Sequence, residues 1–484
     1  MMSAVAMVAG VAGLFFEFRR MLMMLQQNSY RNERFVNWLN TSADTTSMSR
    51  LTGMIVFFAA MVNFVPHIAG YVIMILFFVG DVWNLARKKY KKPLVWTKRV
   101  WRLFSVMTII ALIVCCSTAC MVNAQNSGIW PYVVAVTLVG LNVLSAVVAM
   151  VANKLLEPVE KSINHKFYAE AESILRSMPD LKIIGITGSY GKTSTKHYLY
   201  RILSEQFPVC MTPGSFNTTL GVVRTVREYL KPYDEVFIVE MGAKQRGDIK
   251  EICDLVHPSI GIVTAVGEQH LESFGSIENV QRTKFELIDS LPADGLAVIN
   301  NDFPYVANRL VDNVECRRYA VSAGEGIDYS VKDVKYAPTG TAFTIITPEG
   351  ELELHTRLVG ECNISNLIAA VIVALYLNMP FEKIKYAVEK IEQVEHRLNM
   401  KRTAGGVTII DDAFNSNPTG SGMALDVLAS MTGGRRIVVT PGMIELGARQ
   451  EFHNTAFGRK IAECADVAII VGLYNRDAIM HGIE

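Results

Sequence analysis

The stretch KIIGITGSYGKTSTKHYLYRIL, Lys182 to Leu203, decides how the rest of this 484-residue chain is read. An apolar run enters a turn at Gly188, a Gly191-Lys192-Thr193 triplet follows, and a helical pattern begins. A strand ending at Thr187 and a helix opening near Thr193 put the backbone N–H groups of 188–193 around an anion, and the helix dipole favours negative charge there. In such a loop Lys192 reaches terminal phosphates and the Thr193 hydroxyl suits Mg²⁺. The common phosphate-loop spacing, Gly-x4-Gly-Lys-[Ser/Thr], nevertheless fails by one residue. It requires glycine at 186, and the chain has Ile186 with the upstream glycine at Gly185.

Downstream, DEVFIVE (234–240), SIGIVTAV (259–266) and GLAVIN (295–300) repeat the continuous apolar run of LKIIGIT, with helical patterns between them. That alternation predicts a parallel sheet with crossover helices. Residues 327–357 switch to short β-runs with Pro and Gly turns, and SNLIAAVIVALYL (365–377) is helical. GVTIIDD (406–412) opens a last α/β region, with RRIVVT and DVAIIVG as its further strands.

Upstream the composition changes. Half of the residues are hydrophobic and mean hydropathy is +0.25, with the excess concentrated before residue 153. Four apolar blocks stand there: Met2–Phe16, Leu51–Trp83, Leu103–Val122 and Trp130–Asn153. The last two are each about one bilayer long at about 1.5 Å rise per residue. The first lacks the basic n-region of a signal peptide and reads as an uncleaved span. Segment 84–102 holds eight Lys and Arg (Arg87, Lys88, Lys89, Lys91, Lys92, Lys98, Arg99, Arg102) and no acid, so it belongs in the cytoplasm. The uncharged NAQNSGI (123–129) belongs outside. Segment 17–50, with Arg19, Arg20, Arg31, Arg34 and Arg50, is also assigned to the inside, which makes block two a hairpin turning at Pro66 near Asn63 and His67. Five membrane segments follow, or four if block two is one kinked span. A helical stripe at Leu155, Val159, Ile163, Phe167, Ala171, Ile174 and Leu175 predicts an amphipathic connecting helix over 154–180. The eight scattered cysteines form no CxxC pair and read as reduced, buried thiols. A net charge of +1 argues against a nucleic-acid partner.

Three more residues carry chemistry. Glu240, at a strand end beside the phosphate loop, suits a hard cation. His270 follows another strand end, and Lys284 is the only lysine between 251 and 331. Taken singly, each has a bland structural reading. In this order they resemble the Mur ligase family, ATP-dependent amide-bond ligases. That family's nucleotide loop is commonly TG-x-x-GKT, here Thr187-Gly188-Ser189-Tyr190-Gly191-Lys192-Thr193, followed by Ser194. The resemblance accounts for the odd spacing and runs from about residue 181 to 484. GSFNTTLG (214–221), VEMGAKQRGDI (239–249), HLESFGS (270–276), GECNISNLIAA (360–370), EHRL (395–398) and DDAFNSNP (411–418) are similar to segments of the MurF subgroup, which adds D-alanyl-D-alanine to a UDP-N-acetylmuramoyl tripeptide.

The resemblance implies a fold and roles. The fold class is an α-helical transmembrane region (1–153) and a connecting helix (154–180), then α/β. The α/β part is a central P-loop parallel-sheet domain (181–398) and a partial Rossmann-like C-terminal domain (399–484). Residues 187–194 would hold ATP, with Asn363, Asn366, Arg397 and Asp412. Thr193 and Glu240 would bind a first Mg²⁺ and His270 a second. Lys284 matches the family's carbamylated lysine, which bridges metal or positions phosphate. Ser215, Asn217, Thr218, Asn415 and Asn417 would face substrates. The implied partners are a UDP-MurNAc-peptide or a lipid-linked relative, D-Ala-D-Ala and the lipid bilayer. The implied location is the bacterial inner membrane, multi-pass, with the catalytic domain cytoplasmic.

Two departures keep alternatives open. The family's usual soluble UDP-sugar domain is replaced here by membrane blocks, and the last domain is short of six strands. Another carboxylate substrate, lipid-linked or poly-γ-glutamate, is the enzymatic rival, and a nucleotide-responsive regulatory domain is the rival from another class. An ATP-driven transporter fits worse, because the spans carry few ionisable groups.

Overall fold

The computed structural model describes every residue except 43–47, 62–66, 91, 125–127, 338–339, 415 and 432. The chain divides into two compact units, Met1–His165 and Lys166–Glu484.

The first unit is helical: α1 (Met2–Gln27), α2 (Asn32–Thr41), α3 (Met48–Met61), α4 (His67–Arg87), α5 (Lys98–Asn123), α6 (Trp130–Val143) and the start of α7 (Ser145–Arg176). By length and composition α1, α4 and α5 can cross a membrane, and α6 with α7, bent by 74°, makes a fourth if the pair is one span. Block two is therefore two helices, α3 and α4. The expected turn at Pro66, with Asn63, lies outside the described residues, as does Lys91. His67 opens α4 with its ring 4.7 Å from that of Tyr132.

Two expectations are corrected here. First, α1 runs on to Gln27, so Arg20 is not a loop charge, and Arg50 lies in α3. Both are buried against Glu17, whose carboxylate accepts from Arg20 Nε (2.9 Å) and Nη2 (2.7 Å), Arg50 Nη2 (3.1 Å) and Ser145 Oγ (2.9 Å). Asp81, also buried, accepts from Ser49 Oγ and Asn142 Nδ2. The bundle interior thus holds more ionisable groups than its hydropathy suggests. The α6–α7 break supplies a reason. A helix end leaves carbonyls without intrahelical donors, and Arg50 Nη1 donates to Val143 O at 2.6 Å. Second, no boundary falls at 153/154, because α7 runs through it with Pro158 inside. Its later turns carry Phe167, Ala171, Ile174 and Leu175 into the core of the second unit, while Leu155 and Val159 stay exposed.

The second unit is built on a six-stranded parallel sheet, β1 (Lys182–Thr187), β2 (Val209–Met211), β3 (Val236–Glu240), β4 (Ile260–Val263), β5 (Leu296–Asn300) and β6 (Glu315–Tyr319), in the order β2-β3-β1-β4-β5-β6. Strand residues alternate between two cores, as the period of 2 requires. Ile184, Ile186, Ile238, Ile262 and Val298 face α8 (Lys192–Leu203), α14 (Glu361–Tyr376) and α15 (Phe381–Glu389). Ile183, Phe237, Val239, Val263 and Ile299 face α9 (Thr219–Glu228), α10 (Asp248–Val256) and α12 (Ile277–Asp289), together with the end of α7. Burial on both faces is why these strands read as unbroken apolar runs. The short helices α11 (Leu271–Phe274) and α13 (Pro304–Ala307) lie in the connections, and β7 (Ser330–Ala337), β8 (Gly340–Thr347) and β9 (Gly350–Thr356) form an antiparallel sheet.

The last region holds β10 (Asn399–Arg402), β11 (Thr408–Asp411), α16 (Pro418–Ala429), β12 (Ile437–Thr440), α17 (Gln450–Cys464), β13 (Val467–Ile470) and α18 (Arg476–Ile483). The three expected strands form but do not share one sheet. Among the described residues β11 pairs antiparallel with β10, and β12 pairs parallel with β13 across α17. A partial Rossmann-like sheet is to that extent reduced to one βαβ unit.

Candidate active site

The sheet order reverses around β1, whose neighbours are β3 and β4, so a crevice opens at the carboxyl ends of these strands. The loop after β1 turns there on two glycines with positive φ, Gly188 (150°) and Gly191 (77°). A Cβ on Gly188 would lie 2.1 Å from Thr264 Oγ1, and one on Gly191 would lie 2.2 Å from Asn366 Oδ1. Thr187 Oγ1 donates to Met241 O, and Ser189 is pinned through its N–H to Ala265 O and its Oγ to Gly267 O. Tyr190 packs on Gly267, where a Cβ would meet its hydroxyl. Gly191 is the N-cap of α8, and the N–H groups from Gly191 to Ser194 precede the first intrahelical bond, Thr195 N to Gly191 O. They open the helix as an anion cradle, and Lys192 Nζ folds back onto Gly188 O at 2.6 Å.

Glu240, at the end of β3 and 1% exposed, is the hub. Its Oε1 accepts from Thr193 Oγ1 and Asn217 Nδ2, each at 3.2 Å. Its Oε2 is buried without a hydrogen bond, 3.0 Å from Lys196 Nζ. Burial pushes this carboxyl up, but Lys196 and Lys192 outweigh it and hold it below the usual value. An ionised carboxylate with an unbonded oxygen, beside a threonine hydroxyl, fits a hard divalent cation such as Mg²⁺. Thr193 and Glu240 are the residues that would hold it.

Lys284, on α12, is 4% exposed and, among the described residues, makes no hydrogen bond or ion pair. Burial drives its amine well below the ordinary lysine value, and the charge of Lys192 adds to the effect. Lys192 itself is drawn down to about 8 by burial and by Arg397, with Glu240 opposing. A neutral amine here is a nucleophile toward CO₂.

Of the outlying expected residues, Asn366 sits against Gly191 and accepts from Thr195 Oγ1, whereas Asn363, one turn earlier, spends its amide on Tyr198 and Val359. Arg397 stacks on Phe414 at 4.3 Å, and Asp412, raised to about 6 by burial, accepts from Leu398 N. Thr218 caps α9 and Asn417 caps α16. Ser215 is exposed, and Asn415 lies outside the described residues. His270 is turned to Glu445, with Nδ1 2.5 Å from Oε2, while Glu268 meets Arg449 and His453. Among the described residues no three His, Cys, Asp or Glu stand together as a metal site, so a second ion has no assembled ligand set. Sequence reading passed over Lys196, which is fully buried. The signal was its phase, because Lys196, Leu199, Ile202 and Leu203 share one helix face.

Against known proteins, residues 186–374 match the Mur ligase middle domain and 396–483 the Mur ligase, glutamate ligase domain. The chain belongs to the Mur ligase family. It is 31% identical over 274 residues to the UDP-N-acetylmuramoyl-tripeptide--D-alanyl-D-alanine ligase of Bacillus subtilis, covering 56% of this chain and 58% of that protein. To the enzyme of the same name from Escherichia coli it is 30% identical, covering 59% and 63%. To that of Mycobacterium tuberculosis it is 34% identical, covering 62% and 60%. The chain thus spans about three fifths of the length of these curated relatives. Similar solved structures include MurF from Acinetobacter baumannii (28% identity, TM-score 0.62, 66% of this chain and 69% of that one). Another is MurF from Thermotoga maritima in complex with ADP (25% identity, TM-score 0.61, 65% and 72%).

Proposed function

We propose that this chain is a membrane-anchored, ATP-dependent amide ligase of peptidoglycan precursor synthesis, joining D-alanyl-D-alanine to a UDP-MurNAc-tripeptide. The observation that carries the reading is the anion cradle and the Thr193–Glu240–Asn217 cluster at the carboxyl ends of interior strands, with the buried, unpaired amine of Lys284 feeling the charges of Lys192 and Glu240. The names of the relatives support the substrate pair.

The chemistry follows from the difficulty of the acyl donor. A free carboxylate cannot expel oxide, so a substrate oxygen first attacks the terminal phosphorus of ATP. The new P–O bond forms as the bond to ADP breaks, and an acyl phosphate results. The N–H groups of Gly191–Ser194 and Lys192 hold the phosphates in line, and Asn217 faces the carboxylate. The amine then adds to the activated carbonyl, loses a proton, and phosphate leaves. Mg²⁺ held by Thr193 and Glu240 would neutralise charge on the phosphates. A carbamate on Lys284 would place an anion beside Lys192, and Arg397 and Asp412 would meet the nucleotide from the last region. The apolar helices α1, α4 and α5 support residence in the bacterial inner membrane as a multi-pass protein, with the catalytic unit on the cytoplasmic side.

The test is ATP-dependent phosphate release by the detergent-purified protein with UDP-MurNAc-tripeptide, with and without D-alanyl-D-alanine. The mass of the product is checked. Release that needs both substrates and yields the UDP-pentapeptide supports the proposal. ATP binding without release refutes this substrate pair. One observation favours a second reading: the middle domain is preceded by a helical unit with membrane-length helices, which suits a lipid-linked carboxylate. Release with the lipid-linked muropeptide alone would select it.

A further inference from the structure

We propose that Lys196 is a positioning residue that locks segment 212–218, the carboxylate-facing segment in the ligase reading on which this inference rests, to the Glu240 carboxylate at the nucleotide site. Lys196 lies on α8, one turn after Lys192, with its side chain fully enclosed. Its ammonium donates to Gly214 O at 2.7 Å and lies 3.0 Å from Glu240 Oε2. The contact to Gly214 is a hydrogen bond and the contact to Glu240 is a buried salt bridge. One cation therefore bridges the middle of this segment to the end of β3, which it otherwise meets only at its two ends, through Thr212 and Asn217.

The segment needs such a tether. Gly214 takes φ +49° and is exposed, as is Ser215. Phe216 N and Asn217 N bond only within the segment, to Pro213 O and Ser215 O. Its far end is held by Asn217, which donates to Glu240 Oε1 and accepts from Gly242 N at 2.7 Å. Its near end enters through Thr212, whose hydroxyl accepts from Glu240 N. Between these anchors only Lys196 grips the backbone, among the described residues. A core role alone would be met more cheaply by an apolar side chain, because an enclosed ammonium is costly to desolvate. The surrounding stripe of Leu199, Ile202 and Leu203 is of that apolar kind.

The test compares wild type with Lys196→Met and Lys196→Gln by amide hydrogen exchange. In Lys196→Met, exchange at 214–217 rises by about tenfold or more while 188–195 keeps its protection, as loss of a buried charged hydrogen bond requires. Lys196→Gln, which keeps a donor for Gly214 O, restores part of that protection. Unchanged exchange at 214–217, or an equal rise in the phosphate loop, overturns the proposal. Kinetics give the second readout: KM for the carboxylate substrate rises about tenfold or more in Lys196→Met, with KM for ATP little changed. A uniform loss on both substrates overturns the positioning role. If wild type shows no ligase turnover, the ligase reading falls, and the exchange experiment still decides what Lys196 does. If Lys196→Met does not fold, Lys196→Gln against wild type carries the comparison, and equal exchange at 214–217 in the two, or an equal rise in both segments, overturns the proposal.

Discussion

Replacing Lys284 by methionine should make the unliganded protein more stable while ending turnover. The structure encloses this amine without a hydrogen bond or ion pair among the described residues, and burial with Lys192 nearby holds it well below the ordinary value. The unfolded chain, with a lysine near 10.4, binds the proton more tightly than the folded one. Stability therefore rises with pH from the depressed folded value up to about 10.4, by about 1.4 kcal/mol per unit, and the full cost is present below that window. Lys284→Met deletes this cost and flattens the profile. In CO₂-free buffer near pH 7 its melting temperature should exceed that of wild type, at roughly 2–4 °C per kcal/mol. Adding bicarbonate should reverse the order. The neutral amine attacks the carbon of CO₂, an N–C bond forms, one C–O electron pair moves to oxygen and a proton passes to the buffer. The resulting carbamate lies within reach of the charge of Lys192 and stabilises wild type by mass action, whereas the variant cannot respond. Thermal denaturation from pH 6.5 to 10, with and without bicarbonate, reads both effects. Turnover of Lys284→Ala, with short carboxylic acids added back, completes the set. Equal pH slopes in wild type and Lys284→Met, or full turnover in Lys284→Ala, would refute the reasoning.

Other expectations follow from the same geometry. Lys192 titrates at about 8, so the affinity of an ATP analogue without Mg²⁺ should weaken as pH rises through that value, while Lys192→Met gives a weak, flat profile by calorimetry. Glu240→Gln leaves the enclosed Lys196 without its counter-charge. It should lower stability by about 3–5 kcal/mol in thermal denaturation and remove the Mg²⁺ dependence of nucleotide binding. Glu17→Gln strips the carboxylate that two buried arginines share and should cost the helical unit about 3–5 kcal/mol, measured by unfolding in detergent.

The parallel sheet was legible because strands covered on both faces leave continuous apolar runs, and the phosphate loop because its two left-handed positions demand glycine. Glu240 and Lys284 were legible only as members of an ordered set; the enclosure that gives each its chemistry comes from residues far away in sequence. Asn363 and Asn366 could not be told apart from spacing, since one turn of helix decides which amide meets the loop and which meets Tyr198. Arg20 and Arg50 were misread for a similar reason. A topology argument counts charges along the chain and has no means of seeing that Glu17 draws both inward. Lys196 was hidden by composition, because a lysine in a helix is ordinarily solvated, and only its phase with Leu199 and Leu203 betrays it.

The unbroken run of α7 also governs where this polypeptide can be cut. A clone of the catalytic half begun at Leu181, where the first strand pattern starts, would strip Phe167, Ala171, Ile174 and Leu175 from the core they share with Val222, Phe237 and Ile252. The exposed wound would be greasy, and the fragment would be recovered as inclusion bodies. A start near Lys166 keeps those turns and carries none of the membrane-length helices α1, α4 and α5. Residues 166–180, the last eleven residues of α7 and the turn after it, look like a linker on paper and thus separate an expressible enzyme half from an insoluble one.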